Sequence, residues 1–442
     1  MEIKDLQKII QDSGVVGAGG AGFPTYAKLT DKADTILMNC AECEPLLKLH
    51  RQLLEKHAYE IMKTFHMVME TVGASQAIIG IKKSYVQTIK ALQQHIEEFP
   101  GLKIHLLDEV YPMGDEVVLI YEATGRVCRP GGLPIEPGVI VFNVETIYNV
   151  YQAVTSQKPV TEKYVSVVAE VGHPVTVKVP LGCTLDEVVA QAGDITTKDP
   201  VYFVGGPMMG RIGNGSDPVT KTTNAVLVLP HDHQIVMKKR RTSAIDLKRA
   251  ASICCQCNTC TDLCPRHNLG HPIDPARFMR AASAGDFRDV NPYINSAFCS
   301  SCGVCEMYAC PQSLAPRSLL ADMKGGLRKA GIRPPQGVQP VPVKPSREYR
   351  KVPEERLMAR LGLTKYDKDA PMDENVVPVS KVKILLSQHI GAPAQAIVKT
   401  GDTVTKGQMI AQHADGLSVS IHASISGRVT EVTDRHIIIA AK

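Results

Sequence analysis

Long apolar runs and an N-terminal signal sequence are both missing from this chain. The longest apolar stretches, such as Ala225–Pro230, fall far short of the roughly 18 residues that a membrane span requires. Residues 1–5 are mostly charged, and no apolar segment follows them. We therefore expect a cytoplasmic protein without a membrane span, in which the cysteines stay reduced.

Cysteine, by contrast, is plentiful and regularly spaced. Eight of the 13 cysteines form two C-x-x-C-x-x-C sets, each closed by a Cys-Pro pair. Steps of three residues let an irregular loop aim three sulfurs at one point, as a [4Fe-4S] cluster requires. The first set is Cys254, Cys257, Cys260 and Cys264, and the second is Cys299, Cys302, Cys305 and Cys310.

The two sets are predicted to exchange their last ligands. In the common two-cluster arrangement, the cysteine before proline ligates the other cluster. Cys310 should therefore complete the cluster held by the first three cysteines of the first set, and Cys264 the cluster held by the first three of the second. One spacing departs from the common pattern, because four residues rather than three separate Cys305 from Cys310.

Zinc and disulfides are the alternatives to this interpretation. Structural zinc uses paired C-x-x-C knuckles or cysteine mixed with histidine, and a third cysteine at the same step has no role there. Disulfides do not suit a reducing cytoplasm. Two iron–sulfur clusters, and hence single-electron transfer, are the preferred hypothesis.

The formal net charge of +5 does not indicate nucleic-acid binding. Eight thiolates outweigh the positive cores of two clusters and would bring the charge to roughly zero. The basic run at residues 238–241 has no aromatic residues among its lysines and arginines. We interpret it as a solvated helix and expect no nucleic-acid partner.

Five glycines fall within nine residues, at positions 14–22, after a helical pattern and before a predicted strand at 35–39. Such a loop lets backbone N–H groups approach a phosphate or a flat ring, because no Cβ stands in the way. The strand ends in polar residues, at the edge where α/β sheets bind ligands. Cys40 and Cys43 lie among them, and their acidic neighbours favour packed thiols over a redox dithiol.

Four separated motifs follow one another along the chain: Gly-Gly-Ala-Gly-Phe-Pro-Thr at 19–25 with Lys28, the polar strand end at 39–45, Gly114-Asp115-Glu116, and Asn143-Val144-Glu145-Thr146. They resemble, in the same order, the motifs of the flavoprotein subunit of respiratory complex I. The segments Tyr111-Pro112-Met113-Gly114 and Gly131-Gly132-Leu133-Pro134 more closely resemble its relative, the C subunit of the Rnf electron-transport complex. The resemblance covers about residues 1–155 and implies a domain that binds FMN and NADH.

The same resemblance implies which residues hold each cofactor. Those around FMN are Gly17, Gly19, Gly20, Gly22, Lys28, Asn39, Glu42, Gly114, Asp115 and Asn143. Those that meet NADH are Phe23, Glu44 and Glu116. Two features depart from complex I, since Asp115 replaces a glutamate, and Cys40 and Cys43 interrupt the acidic strand end.

The predicted fold is α/β and multidomain. Residues 1–158 form a Rossmann-like FMN/NADH-binding domain, 159–237 a soluble-ligand-binding β-grasp domain, 238–331 a helical two-cluster ferredoxin domain, 332–378 a proline-rich linker that acts as a semi-rigid spacer, and 379–442 a barrel-sandwich hybrid domain.

The barrel-sandwich segment resembles lipoyl and biotinyl carriers, but its hairpin tip at 414–416 lacks the lysine that covalent carriage requires. In the Rnf C subunit this segment precedes the flavin domain, whereas here its Gln-His-Ile-Gly-Ala-Pro motif at 388–393 follows the clusters. That order resembles the cobalamin reductase family of propanediol-utilising microcompartments. The electron-transfer protein of clostridial proline reductase has a similar make-up.

The resemblance implies hydride transfer from NADH to FMN, followed by single-electron steps through two [4Fe-4S] clusters to a corrinoid. It also implies association with the enzymes of a bacterial microcompartment. The alternative is an electron relay that serves a redox partner protein and has no NADH site of its own. In neither case do we expect a catalytic acid or base.

Overall fold

The structure is a computed structural model and describes residues 1–441. Its N-terminal domain is built on a parallel sheet whose central strands are mainly apolar, because helices cover both faces. The strands are β1 (Thr35–Cys40), β2 (Gln76–Lys82), β3 (Leu102–Leu107) and β5 (Val139–Asn143), with a short β4 (Val110–Tyr111) outside this sheet. The helices are α1 (Ile3–Asp12), α2 (Leu49–Lys56), α3 (Ala58–Val72), α4 (Val86–Gln93), α5 (Glu116–Thr124) and α6 (Val144–Ser156).

The strand order of this sheet, β3-β2-β1-β5, creates a switch point between β1 and β5. The chain adds β2 and β3 on one side of β1 and then crosses to place β5 on the other side. Asn39 and Asn143 stand opposite each other at the carboxyl ends of the two strands. In open α/β sheets, ligands bind in the crevice at this position.

A second, mixed sheet follows, in the order β12-β7-β6-β10-β8-β9. We call this unit the mixed-sheet domain. The elements contiguous in sequence are β6 (Glu162–Ala169), β7 (Val175–Pro180), α7 (Leu185–Val189), β8 (Pro200–Val204), β9 (Arg211–Gly213), β10 (Ala225–Pro230) and α8 (Gln234–Arg240). Thr184 and Glu187 form a capping box that fixes the start of α7.

The cysteine-rich region is helical. Its elements are α9 (Ser243–Ile253), α10 (Thr259–Asp262), α11 (Pro265–Asn268), α12 (Pro275–Ala284), α13 (Asn291–Ile294) and α14 (Pro316–Lys329). A π-helical turn at Val304–Ala309 takes up the extra residue between Cys305 and Cys310, as such turns accommodate insertions in helices. Within residues 1–441, no helix is both long enough and apolar enough to cross a bilayer.

Residues 332–378 differ from the predicted spacer. After a stretch without helix or strand, the chain forms β11 (Val352–Pro353), α15 (Glu354–Leu361) and β12 (Met372–Val376). Strand β11 pairs with β4, and β12 extends the mixed sheet beside β7. Leu357 and Leu361 lie four residues apart and are buried in a core shared with Phe203. This amphipathic spacing outweighs the prolines, which cluster before residue 346.

The C-terminal domain packs two small sheets around an apolar core. Its strands are β13 (Lys381–Leu385), β14 (Gln395–Ala396), β15 (Thr403–Val404), β16 (Met409–Gln412), β17 (Ile421–His422), β18 (Gly427–Val432) and β19 (His436–Ala441). It docks on the N-terminal domain, where the Ile390 N–H donates to the Gly22 carbonyl (3.2 Å) and the Ser420 N–H to the Gln11 carbonyl (3.2 Å).

Candidate functional site

The glycine-rich segment forms a loop that is closed at its base. The Gly17 N–H donates to the Phe23 carbonyl (2.9 Å), and Val16 bridges to Pro24. The tip of the loop is exposed, and a Cβ placed on Gly20 would meet no atom within 4 Å. The loop therefore borders open space.

The loop lies against the N-terminus of α6. The Ala18 N–H donates to the Thr146 hydroxyl (3.0 Å), and a Cβ on Gly19 would stand 2.5 Å from the Asn143 side-chain nitrogen. Asn143 caps α6 by accepting the Glu145 N–H (2.9 Å). Loop amides and a helix N-terminus together favour an anion such as a phosphate.

Lys28, Phe23 and Glu116 gather on one side of this loop. The Lys28 ammonium donates to the Val141 carbonyl (3.0 Å) and lies 5.8 Å from the centroid of the Phe23 ring. Burial lowers the pKa of Lys28, and the nearby Glu116 carboxylate opposes that shift. Glu116 itself is exposed.

Asn39 and Gly114 hold the end of β1 to the loop before α5. The Asn39 amide donates to the Gly114 carbonyl (2.9 Å), and its oxygen accepts the Ala41 N–H (3.1 Å). A Cβ on Gly114 would lie 2.7 Å from the Ala41 carbonyl oxygen, so only glycine allows this approach. Asn39 and Gly114 therefore shape the site, while their own polar groups are hydrogen-bonded within the protein.

Glu42 is buried beneath the strand end. Its carboxylate accepts the His50 N–H (3.1 Å), while its own carbonyl accepts a hydrogen bond from Lys82 (3.0 Å). Burial raises the pKa of Glu42 to about 7. The structure thus gives Glu42 a supporting position under the site.

Glu44 joins two domains. Its carboxylate accepts the N–H groups of Met208 (2.8 Å) and Met209 (2.9 Å) in the mixed-sheet domain. Burial raises the pKa of Glu44 to about 7. The neighbouring Cys43 thiol accepts the Gly114 N–H (3.3 Å), and burial raises its pKa to about 12. A neutral, packed Cys43 thiol agrees with the prediction made from its acidic neighbours in the sequence.

Asp115 connects the N-terminal domain to the cysteine-rich region. It caps α5 by accepting the N–H groups of Val117 (3.1 Å) and Val118 (3.2 Å). Both carboxylate oxygens also accept hydrogen bonds from Arg266, at 2.8 and 2.9 Å. Arg266 stands two residues after Cys264, so this bidentate pair runs from the glycine-loop side of the molecule to a predicted cluster ligand.

The eight predicted cluster ligands surround two cavities. We call the first the inner cavity, lined by Cys264, Cys299, Cys302 and Cys305. The second is the outer cavity, lined by Cys254, Cys257, Cys260 and Cys310. Across residues 1–441, no three His, Cys, Asp or Glu side chains are arranged to hold a single metal ion. Cys255 also lines the outer cavity. The predicted ligands are grouped around the cavities as crossed ligation requires, and the ligation itself stays a prediction.

The backbone bends in the same way around both cavities. Residues with positive φ occupy the same two positions of each cysteine run, namely Gln256, Asn258, Ser301 and Gly303. At one of these bends the Ser301 N–H donates to the Cys299 Sγ (3.3 Å), and elsewhere the Leu314 N–H donates to the Cys310 Sγ (3.3 Å). Amide donors of this kind suit thiolate ligands.

Tyr111 is a site residue that the cysteine spacing did not reveal. Its hydroxyl donates to the Cys302 carbonyl (2.6 Å), which ties the inner cavity to β4 of the N-terminal domain. Met208 lies beside Gly303, a lining residue of this cavity, since its carbonyl oxygen would be 3.4 Å from a Cβ on Gly303. The cysteine spacing did not reveal Arg266 either. Its position directly after Cys264-Pro265 could have indicated that it lies beside a cluster ligand.

Comparison with known proteins agrees with this division of the chain. Residues 10–152 match the Nuo51 FMN-binding domain, residues 253–315 a 4Fe-4S dicluster domain, and residues 364–442 the RnfC barrel sandwich hybrid domain. The predicted α/β flavin domain, iron–sulfur domain and C-terminal barrel-sandwich domain are therefore confirmed at this level.

Two curated relatives match almost the whole chain. The cobalamin reductase PduS of Citrobacter freundii is 40% identical over 99% of this chain and 97% of its own length. The chain belongs to the cobalamin reductase family. The PduS protein of Salmonella typhimurium is also 40% identical, over 98% of this chain and 96% of its own. Membership of the family, predicted from domain order, is confirmed, and the chain is an oxidoreductase of the flavin and iron–sulfur type.

More distant matches extend beyond that family. The C subunit of the Na(+)-translocating ferredoxin:NAD(+) oxidoreductase complex of Acetobacterium woodii is 30% identical over 60% of this chain and 59% of its own length. Among solved structures, an NAD+-reducing [NiFe]-hydrogenase in the H2-reduced state aligns with a TM-score of 0.49 and 19% identity, over 76% of this chain and 64% of that one.

Proposed function

We propose that this chain oxidises NADH at a bound FMN and passes single electrons through two [4Fe-4S] clusters to a corrinoid. The observation that carries the proposal is the bidentate Asp115–Arg266 pair, which connects the glycine-loop site to the inner cavity. The names of the 40% identical relatives support a corrinoid as the acceptor.

The residues around the glycine loop fit FMN. Open space beyond Gly20 and the exposed loop tip leave room for a ligand, while the N-terminus of α6 at Asn143 favours its phosphate. Gly17, Gly19, Gly20 and Gly22 let the backbone approach it, and Lys28 supplies a positive charge at the side. FMN accepts two electrons together as hydride and releases them singly.

Phe23 and Glu116 are the proposed contacts for NADH. Phe23 offers a half-buried ring beside Lys28, and Glu116 an exposed carboxylate. We assign Glu44 a different role from the one that the family resemblance implies. Since its carboxylate is paired with two backbone N–H groups, it would hold the mixed-sheet domain against the site rather than bind the dinucleotide.

The two cavities are the proposed cluster sites, with crossed ligation. Cys254, Cys257, Cys260 and Cys310 would hold the outer cluster, and Cys264, Cys299, Cys302 and Cys305 the inner one. Four predicted ligands line each space, and amide donors at the Cys299 and Cys310 sulfurs support this assignment.

NADH should bleach the flavin absorbance of protein purified without oxygen. The hydride donor and the flavin must meet for this to happen, so the experiment tests the NADH site directly. The measurement is the visible spectrum under anaerobic titration, with dithionite added to a parallel sample to give the fully reduced reference. A flavin that dithionite bleaches and NADH does not would contradict the proposal.

A relay without an NADH site is the second candidate, and the engagement of Glu44 favours it. In that case electrons would come from a reduced partner protein. The same titration separates the two functions, because only the first predicts bleaching by NADH alone.

Substituting Gly20 by valine should weaken FMN binding at least about tenfold, or roughly 1.4 kcal/mol. The new side chain enters space that no protein atom occupies, so the apoprotein should keep its melting temperature. Fluorescence titration of the apoprotein with FMN measures the affinity. The matched control is Gly326→Val, at an exposed site in α14 where a Cβ also meets nothing within 4 Å. Unchanged affinity in Gly20→Val would place FMN elsewhere.

A further inference from the structure

The inner cavity lies beside the N-terminal and mixed-sheet domains. None of the side chains that line it is exposed, and two of them, Arg266 and Arg317, carry positive charge. Tyr111 of the N-terminal domain and Met208 of the mixed-sheet domain lie beside its lining residues. Arg266 adds the link to Asp115. The inner cavity therefore lies on the side of the molecule that faces the glycine-loop site.

The outer cavity differs in the exposure of its lining residues. All of its lining residues belong to the cysteine-rich region, and five of them are exposed. These five are Cys255, Gln256, Cys257, Pro311 and Gln312. Ile253, the last residue of α9, precedes Cys254 and is 42% exposed. We call Ile253 and the five exposed lining residues the outer rim.

The outer rim has no acidic or basic side chain. Its side chains are one aliphatic group, one proline ring, two amides, the Cys255 thiol and the Cys257 sulfur, which is a proposed cluster ligand. No lysine, arginine or carboxylate lines the outer cavity, whereas two arginines line the inner one. A rim of this kind gives no electrostatic steering, so it does not suit a strongly acidic or basic redox protein.

We propose that a corrinoid docks on the outer rim and takes its electrons there, which makes the inner cavity the entry side of the path. This inference rests on the proposed function. In each transfer the cobalt gains one electron and the iron–sulfur centre at the outer cavity loses one, and no bond or proton passes between them. The electrons come from NADH, or from dithionite in the test below.

The size and chemistry of the rim favour a corrinoid over a protein. A stable protein interface uses about 20–30 residues on each side, and its core is anchored by aromatic residues or arginine. The outer rim offers six residues, none with an acidic or basic side chain. A corrinoid is a flat macrocycle edged with amide side chains. Its face can stack on Ile253 and Pro311, and its edge amides can pair with Gln256 and Gln312.

Two carboxylates placed on the rim should abolish most of this binding. In the double variant Ile253→Glu/Gln312→Glu, docking would strip water from two charges, which is costly. We expect the dissociation constant for cob(II)alamin, measured by anaerobic equilibrium dialysis of the full cluster-loaded chain, to rise at least about tenfold. The matched control is Ile245→Glu, exposed on the same helix about 12 Å away along its axis.

Every outcome of the dialysis experiment either supports or overturns the outer rim as the docking site. A selective loss of affinity in the double variant, with full iron content and unchanged flavin spectrum, supports the rim as the docking site. Equal affinity in the double variant and the wild type overturns it and leaves the proposed function intact. Equal losses in the double variant and in Ile245→Glu also overturn it. The wild type could also neither bind cob(II)alamin nor reduce it with electrons from dithionite. That result would overturn the corrinoid both as the molecule docked on the rim and as the acceptor in the proposed function.

Discussion

Replacing Cys310 by serine should lower the iron content of anaerobically purified protein from about eight to about four atoms per chain. Cys310 lines the outer cavity together with three cysteines of the first run, and its Sγ already accepts the Leu314 N–H. Serine is a poorer ligand for iron than a thiolate, so the outer cluster should be lost while the inner one remains. Iron and acid-labile sulfide assays, with the EPR spectrum of the reduced protein, measure the outcome.

Cys255 provides the control for this experiment. It lines the same cavity and is exposed, but its position directly beside Cys254 gives it the wrong step for ligation. Cys255→Ser should therefore keep both clusters. Crossed ligation makes one further demand, namely that Cys264→Ser should empty the inner cavity and spare the outer one. Full iron content in Cys310→Ser would show that the crossed assignment is wrong.

Replacing Arg266 by glutamine should lower the melting temperature of the cofactor-loaded protein by roughly 5 to 10 °C. The side chains of Arg266 and Asp115 are only 15% and 10% exposed, so the substitution leaves a nearly buried carboxylate without its partner. Breaking such a pair costs about 3–5 kcal/mol, much of it the penalty of the unpaired charge. Because the chain has no tryptophan, the melt is followed by far-UV circular dichroism and by release of flavin fluorescence.

An exposed ion pair serves as the comparison. Arg288 also makes a bidentate contact, with Asp286, but on the surface of the cysteine-rich region. Arg288→Gln should leave the melt unchanged, because exposed pairs contribute little. Adding Asp115→Asn to Arg266→Gln should recover part of the loss, since the unpaired charge is then removed. A melt of Arg266→Gln that matches the wild type would mean that the pair does not stabilise the junction.

The short spacing of the cysteines predicts how they group. The steps of three, and the proline after Cys264 and Cys310, predict two groups of ligands, and the cysteines of each group line the same cavity, while ligation itself stays a prediction. The apolar runs of β1 and β5 likewise indicate a covered parallel sheet. In both cases the local sequence carries the whole signal.

The sequence did not predict contacts between a side chain and a distant part of the chain. The family resemblance gives Glu44 to the dinucleotide, yet its carboxylate pairs with backbone groups more than 160 residues later. The resemblance likewise puts Asp115 beside FMN, yet its carboxylate is held by Arg266. Which hydrogen-bond donors reach these two carboxylates depends on how the domains pack. No local sequence pattern encodes that packing. Composition also misjudged residues 332–378, because the prolines concealed the apolar pair of α15.

The position of β12 has a consequence for the timing of synthesis. This strand closes the β7 edge of the mixed sheet, but it is made about 140 residues after β10. At 5–20 residues per second, the edge stays uncovered for roughly 7 to 28 s. An open edge invites association with other nascent chains. All eight predicted cluster cysteines emerge from the ribosome within the same interval. Metal loading and closure of the sheet edge therefore compete with aggregation during that time.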